Sequence, residues 1–429
     1  MVASDDQRIK HLVESAAYAF ANGREHDGDR LLRQAETEAP EHPLVLNEVA
    51  KRRLLAGDPA GAQEVLDQAV KADPANPALW LHLAAALRSL GRADEERIAL
   101  DKVLEIEPNH VRGLLQAASL HEIFDDPRTA AATYRRALKL IPPGLDIPAE
   151  MRPVLEHATQ AVEANNLALE AFLEGRLKEL RTRYADEPLG RFDRSLATLL
   201  QKRRVYRPQP TFMYVPQLPA IEFYERGDFP WLESIEAATD EIRAELRGVL
   251  AEGPTALDPY ISVGQGTPDG GWRELNNSRR WGVYYLWREG VARSENIARC
   301  PRTVAALEAW PRCELPGCAP TAMFSILDAK TRIPAHTGVN NARLVVHLPL
   351  IVPPGCGFRV GAETREWRPG EAFVFDDTIE HEAWNDSDDA RAVLIFDIWN
   401  PYLTLAERDM VRALTAGVGE FYGALPEYI

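Results

Sequence analysis

Residues 77–108, PALWLHLAAALRSLGRADEERIALDKVLEIEP, carry apolar side chains at helical spacing and close on Pro108. Pro40, Pro74, Pro108 and Pro142 stand 34 residues apart, each after a segment of the same kind. Setting every copy to end just after its proline aligns Ala35, Ala69, Val103 and Ala137, with Leu32, Leu66, Leu100 and Tyr134 three residues earlier. Small and large residues therefore recur on one helical face. The small ones let two helices approach closely, and the proline cannot continue a helix and so ends it.

The pattern resembles the tetratricopeptide repeat, a helix–turn–helix unit with a large residue, two small ones and a closing proline. In the third copy these are Trp80, Leu83, Ala84, Leu100, Val103 and Pro108. Glu96 and Gly28 stand where other copies carry Ala62 and Ala130, so looser packing is expected at those turns. Stacked repeats bury a core only against their neighbours and leave a concave surface suited to extended or helical peptides. Dimerisation, or rigid display of the next domain, are the other uses of such an array. Residues 1–145 are assigned to the repeats and 146–205 to capping and linker helices. Residues 206–429 form a second domain, which the proline-rich stretch RVYRPQPTFMYVPQLP leads into as extended chain.

A chain of 429 residues exceeds one hydrophobic core, and 45% apolar with 27% charged residues is an ordinary globular mixture. The formal charge of −16 repels phosphates, which argues against nucleic acid or anionic lipid as a partner and for a basic or amphipathic one. MVASDDQRIKHLVES does not read as a signal peptide, and no run approaches the roughly 18 apolar residues of a membrane span. A cytoplasmic protein without a membrane segment is the expectation. The four cysteines, Cys300, Cys313, Cys318 and Cys356, show no paired metal spacing; free thiols are expected over a local Cys313–Cys318 disulfide.

From Trp281 onward, six short runs rich in β-branched and aromatic residues alternate with turns: WGVYYLW, TAMFSIL, RLVVHLPLIV, FRVGAETREW, EAFVFD and AVLIFDIW. A sandwich or barrel follows. FPWLESIEAATDEIRAELRGVLAE and TLAERDMVRALTAGV have the spacing of amphipathic helices that would pack outside it. Of ten histidines, only His336, His347 and His381 lie in this region. His336 precedes the strand RLVVHLPL and His381 follows EAFVFD, so two imidazoles can meet at one barrel mouth, a donor set that suits a divalent first-row metal. The usual facial triad adds a carboxylate two residues after the first histidine, but Gly338 stands there. Spacing alone therefore leaves metal binding and a structural role both open.

Two segments extend the reading: PAHTGVNNARLVVHLPLIVP (residues 334–353) and GEAFVFDDTIEHEAWNDSDDARAVLIFDIWNP (residues 370–401). They carry H-x-G-x-x-N, R-L-x-x-H-L, F-D-D-x-x-E-H-E-x-W-N and D-x-W-x-P in order, and in this they resemble the aspartyl/asparaginyl β-hydroxylases. The resemblance covers roughly the C-terminal half. It implies a double-stranded β-helix (jelly-roll or cupin-like) barrel with flanking helices, following the all-α tetratricopeptide-type superhelix. It also implies an Fe(II)- and 2-oxoglutarate-dependent dioxygenase using O2, with His336 and His381 as the only protein ligands and Gly338 at the carboxylate position. By the same likeness Arg391 holds the distal carboxylate of 2-oxoglutarate, a task for which a planar guanidinium offers two parallel donors. Ser325 adds a hydroxyl, His347 lies near the metal-bound end of the co-substrate, and Trp287 lines the pocket.

One departure is Arg343-Leu344-Val345 where the family has arginine at both ends of the element; Arg343 is expected to cover part of the missing role in pairing with a carboxylate. The implied reaction is β-hydroxylation of Asp or Asn in a peptide or protein gripped by the repeats. Hydroxylation of a free amino acid or a lipid, and a catalytically decayed scaffold, are the alternatives.

Overall fold

The computed structural model describes residues 2–264, 271–423 and 425. Contacts divide the chain into two compact units, residues 1–188 and 189–429, so the segment expected to link the domains is shared between them.

Helices α1 (Val2–Ala21) and α2 (Glu25–Glu38) form the first pair, α3 (Pro43–Leu55) and α4 (Pro59–Ala72) the second. The third is α5 (Pro77–Ser89) with α6 (Ala93–Ile106), and the fourth α7 (Val111–Ile123) with α8 (Pro127–Lys139). Gly23, Gly57 and Gly91 turn the chain inside successive pairs at φ of +68°, +79° and +70°, and Asp125 does so in the fourth at +55°. The aligned Ala35, Ala69, Val103 and Ala137 are all fully buried, as their role in close helix packing requires. Ala158, with Leu155 and Val162, of the long helix α9 (Arg152–Arg183) covers the apolar side of the last pair around Tyr134.

The looser packing expected at Gly28 and Glu96 is absent. The Phe20 ring lies where a Cβ at residue 28 would point. Glu96 is 1% exposed, and its carboxylate accepts from Arg88 Nε at 2.7 Å, while Arg88 Nη2 donates to the Gln116 carbonyl one repeat further on. A larger ring and a buried ion pair thus fill the places of the missing alanines.

The second unit starts with α10 (Gly190–Leu199) and an extended segment, then α11 (Leu232–Ala237) and α12 (Thr239–Leu250). The single amphipathic helix expected there is broken at Ala238. The strands are β1 (Asp258–Pro259), β2 (Trp281–Arg288), β3 (Val291–Ala292), β4 (Ala322–Leu327), β5 (Thr331–His336) and β6 (Arg343–Ile351). After them come β7 (Cys356–Val360), β8 (Glu363–Arg365), β9 (Phe373–Phe375), β10 (His381–Asn385) and β11 (Arg391–Trp399). Two short helices, α13 (Ser294–Arg299) and α14 (Pro301–Ala306), interrupt the series, and α15 (Leu405–Tyr422) closes it behind a Thr404/Glu407 capping box.

One antiparallel sheet runs β1-β2-β4-β11-β6-β9, with β3 beside β2, and the other runs β5-β10-β7-β8. Two cores result. Leu286, Phe324, Val346, Leu394 and Phe396 pack on α11, α12 and α14, whereas Leu327, Val345, Phe375 and Val393 of the large sheet meet Ile333, Phe358, Val360 and Ala383 of the small one. This is the expected double-sheet barrel with helices outside. All six anticipated runs contain strands, FRVGAETREW being divided between β7 and β8, and β1, β3, β5 and β10 lie outside them. Among the described residues no helix is long and apolar enough to cross a membrane.

The Arg88–Glu96 pair sets one expectation for the repeats. Arg88→Ala leaves a buried carboxylate unpaired and should cost about 2–3 kcal/mol, less than for a fully enclosed pair because the guanidinium is partly wet. Glu96→Ala, which restores the small residue, should cost under about 1 kcal/mol, and the double variant should recover most of the loss. Urea unfolding followed by circular dichroism reads all three; equal losses for the two single variants would contradict this account of the turn.

Candidate metal centre

His336 ends β5 and His381 begins β10, and the antiparallel ladder makes them direct Cα partners. β5 is the edge of its sheet, which is where Pro334, unable to donate to a ladder, is tolerated. The two imidazole centroids are 4.1 Å apart. His336 Nδ1 lies 2.8 Å from the Pro334 carbonyl and His381 Nδ1 3.0 Å from that of Ile379. A carbonyl only accepts, so each Nδ1 carries the hydrogen and each Nε2 keeps its lone pair for a metal. Burial lowers the His336 pKa to about 3, helped by His381, and that of His381 to about 4, with Arg343 acting in the same direction. Both rings are neutral at physiological pH, the form that binds metal.

Among the described residues no group of three or more His, Cys, Asp and Glu is arranged to hold a metal ion. Gly338 explains how the site is closed instead. A Cβ there would run into the carboxylate of Asp377, whose backbone carbonyl accepts from Gly338 N at 2.7 Å. Asp377 is buried, its Oδ2 pairs with Arg343 Nη2 at 2.8 Å, and its Oδ1 has no partner. Burial raises its pKa against the opposing pull of Arg343 and His336. The neighbouring Asp376 is a turn residue, its carboxylate accepting from the Thr378 backbone N and hydroxyl.

Deeper in the barrel stands Arg391, the first residue of β11 and the Cα partner of Leu327. Its side chain is 1% exposed, its Nε and Nη1 are buried without any hydrogen-bond partner, and its guanidinium lies 4.4 Å from the Trp367 ring centroid. Burial pushes its pKa down to about 10. A buried guanidinium with idle donors is costly unless an anion arrives to accept from them. His347, opposite Ile395 and Phe373, lies between the two ends of the site. Burial, then Arg391 and His381, hold its pKa well below the usual value, and its buried Nδ1 has no partner. Ser325 is fully buried on β4, its Oγ accepts from Trp281 Nε1 at 3.1 Å, and its own hydrogen remains to be donated.

Of the expected site residues, Trp287 falls elsewhere and Arg343 lies at the metal end, already engaged by a carboxylate. Trp287 faces the helices, with its ring 5.7 Å from that of Trp310 and the Arg312 guanidinium 5.0 Å from its centroid. The β2–β4 register slips between Tyr285 and Trp287, which breaks the alternation that would have turned Trp287 inward. Arg343 does not share a carboxylate with Arg391. It sits opposite Trp399, at the other end of the β6–β11 ladder from Arg391, and is engaged by Asp377. Sequence reasoning also missed an aromatic wall: Trp272 and Trp281 lie 5.0 and 6.3 Å from the His336 ring, with Tyr260 stacked on Trp281 at 4.0 Å. No motif marks it, because these residues converge from separate loops and strands.

A family model described as Aspartyl/Asparaginyl beta-hydroxylase matches residues 236–401, and one described as Tetratricopeptide repeat matches residues 53–118. The chain is 38% identical over 184 residues to the ornithine lipid ester-linked acyl 2-hydroxylase of Rhizobium tropici, covering 42% of this chain and 60% of that one. It is 38% identical over 143 residues to the aspartyl/asparaginyl beta-hydroxylase of Homo sapiens, covering 33% of this chain and 18% of that one. To the human aspartate beta-hydroxylase domain-containing protein 2 it is 27% identical over 259 residues, covering 59% and 68%. The chain thus spans less than two thirds of the first two relatives. Residues 236–401, which carry the paired imidazoles, are thus similar to the aspartyl/asparaginyl beta-hydroxylases, and residues 53–118 to the tetratricopeptide repeat.

Proposed function

We propose that the barrel is an Fe(II)- and 2-oxoglutarate-dependent oxygenase that hydroxylates the β-carbon of Asp or Asn in a peptide or protein held partly by the repeats. The observation that carries this reading is the fully buried Arg391 with two idle donors, inside the same barrel as two neutral, lone-pair-bearing imidazoles. The donor sets fit the group: N ligands for a first-row metal at one end, a guanidinium for a carboxylate at the other. Bound there, Fe(II) with 2-oxoglutarate and O2 supplies the oxidation, leaving succinate and CO2 and putting one oxygen atom into a C–H bond of the substrate.

The chain's own residues bind and orient. His336 and His381 hold the metal through Nε2, each ring fixed by the carbonyl that its Nδ1 bonds. Arg391 and the Ser325 hydroxyl take the distal carboxylate of the co-substrate, and His347 stands beside its path toward the metal. Two imidazoles add no charge to Fe(II), so the 2-oxoglutarate dianion neutralises the site. Trp272 and Trp281 cover one flank of His336 and limit the access of water. The concave face that stacked repeats present gives a polypeptide somewhere to lie, which favours a peptide over a free amino acid.

The test is turnover. Protein supplied with Fe(II), 2-oxoglutarate, O2 and candidate peptides should release succinate and add one oxygen to Asp or Asn, and His381→Ala should abolish both. Oxygen added only to an acylated lipid, the substrate type named for the Rhizobium relative, would replace the peptide reading. No succinate under any condition would leave the scaffold alternative.

A second expectation concerns Gly338. Restoring an acid by Gly338→Asp forces a second carboxylate against Asp377 and should cost about 2–4 kcal/mol of the barrel's stability. Combining it with Asp377→Gly should return most of that. A Gly338→Asp protein that melts like the wild type would show that the position is open.

A further inference from the structure

Among the described residues, the polar atoms left unpartnered inside the barrel differ between its two ends. At the Arg391 end they are donors, Nε and Nη1 of that guanidinium. At the Arg343 end three are acceptors, Asp377 Oδ1, Asp397 Oδ1 and Asn340 Oδ1, on residues that are at most 6% exposed, and one is a donor, Nε of Arg408, whose guanidinium lies 5.8 Å from the Trp399 ring centroid. Asp377 stands against Gly338 and acts electrostatically on His336, so its idle oxygen belongs to the neighbourhood of the metal. Asp397 faces Val345 across the β6–β11 ladder and interacts with Arg343 and Asp377.

The charges at that end point the same way. The two cations that act on His381 are Arg343 and Arg359. Arg343 is paired with Asp377, and Arg359 is paired with Glu380 and Glu382. Arg343 thus has Asp377 against it and Asp397 nearby, and Arg359 has Glu380 and Glu382, so each guanidinium is already engaged by a carboxylate of the chain itself. Val345, on the interior face between Arg343 and His347, adds an apolar patch and no cation. Fe(II) and a 2-oxoglutarate dianion cancel one another, so loading the site adds no net cation for a substrate carboxylate. A substrate carboxylate delivered here would lose water and meet the Asp377 carboxylate that Arg343 already engages. A carboxamide has N–H groups for its idle oxygen and no charge to desolvate.

We propose that the residue hydroxylated is asparagine rather than aspartate, its side-chain N–H donating to Asp377 Oδ1. This rests on the reading of the site as a peptide β-hydroxylase and narrows it to one of the two side chains. Asp377 then selects substrate as well as engaging Arg343. Taking its charge away frees Arg343 to receive a carboxylate, so Asp377→Asn should shift preference toward aspartate.

The test uses the full chain with Fe(II), 2-oxoglutarate and O2, and two synthetic peptide libraries with identical random flanks around a central Asn or a central Asp. Oxygen incorporation by mass spectrometry should favour the Asn library on the order of tenfold or more. Fluorescence anisotropy with the metal-free protein should rank the labelled libraries in the same order. In Asp377→Asn the ratio of the two libraries should fall or invert; because both are read in one variant, a general loss of turnover cancels. Equal or faster modification of the Asp library by the wild type would overturn this proposal and leave the peptide reading standing. Succinate release with neither library modified would overturn the peptide reading, and this proposal with it.

Discussion

The antiparallel pairing of β5 with β10 is the constraint on which the site depends. It opposes His336 to His381, and the register slips just after them, pairing resuming at Ala383 opposite Ile333. Backbone carbonyls at Pro334 and Ile379, two residues before each ring, then fix the tautomers. Neither imidazole relies on a carboxylate for its orientation. The large sheet supplies the rest: β4 and β11 bring Ser325 and Arg391, and β6 brings His347 between that pair and the imidazoles.

Electrostatic polarity inside the barrel follows from where unpaired groups are left. Folding buries a guanidinium without an anion at one end and carboxylate oxygens without donors at the other, and each such group costs stability in the empty protein. That cost makes sense if ligands complete both ends: a co-substrate carboxylate at Arg391 and a donor-bearing substrate near Asp377. Gly338 belongs to the same arrangement, since its missing side chain leaves room for a carboxylate that pairs with arginine instead of joining the imidazoles as a third ligand.

Much of this is legible in the amino-acid order, for identifiable reasons. The helical pairs are readable because Ala35, Ala69, Val103 and Ala137 must be small where helices touch, so the period survives drift at exposed positions. β2, β4, β6 and β11 are readable because both of their faces are buried, which leaves near-continuous apolar runs. β5 and β10, which carry both imidazoles, are short and polar, and β5 contains a proline, so the pair is inferred from the neighbouring strands and the family likeness is what favours metal binding over a structural role. Trp287 is misread through a register slip that no local pattern announces, and Arg343 because its partner Asp377 lies 34 residues away. At Glu96 and Gly28 the compensating Arg88 and Phe20 come from the preceding helix, out of view of a comparison between repeats.

The central claim is that one barrel holds a metal-chelated dicarboxylate, with Arg391 as its far anchor. Anaerobic titration of the Fe(II)-loaded protein with 2-oxoglutarate, read through the visible charge-transfer band of the chelate, tests it without knowledge of the substrate. The account predicts a saturable band in the wild type and affinity weakened on the order of a hundredfold or more in Arg391→Ala, because an ionic, fully desolvated contact is lost. A wild type without the band, or an Arg391→Ala variant that binds as tightly as the wild type, would contradict it.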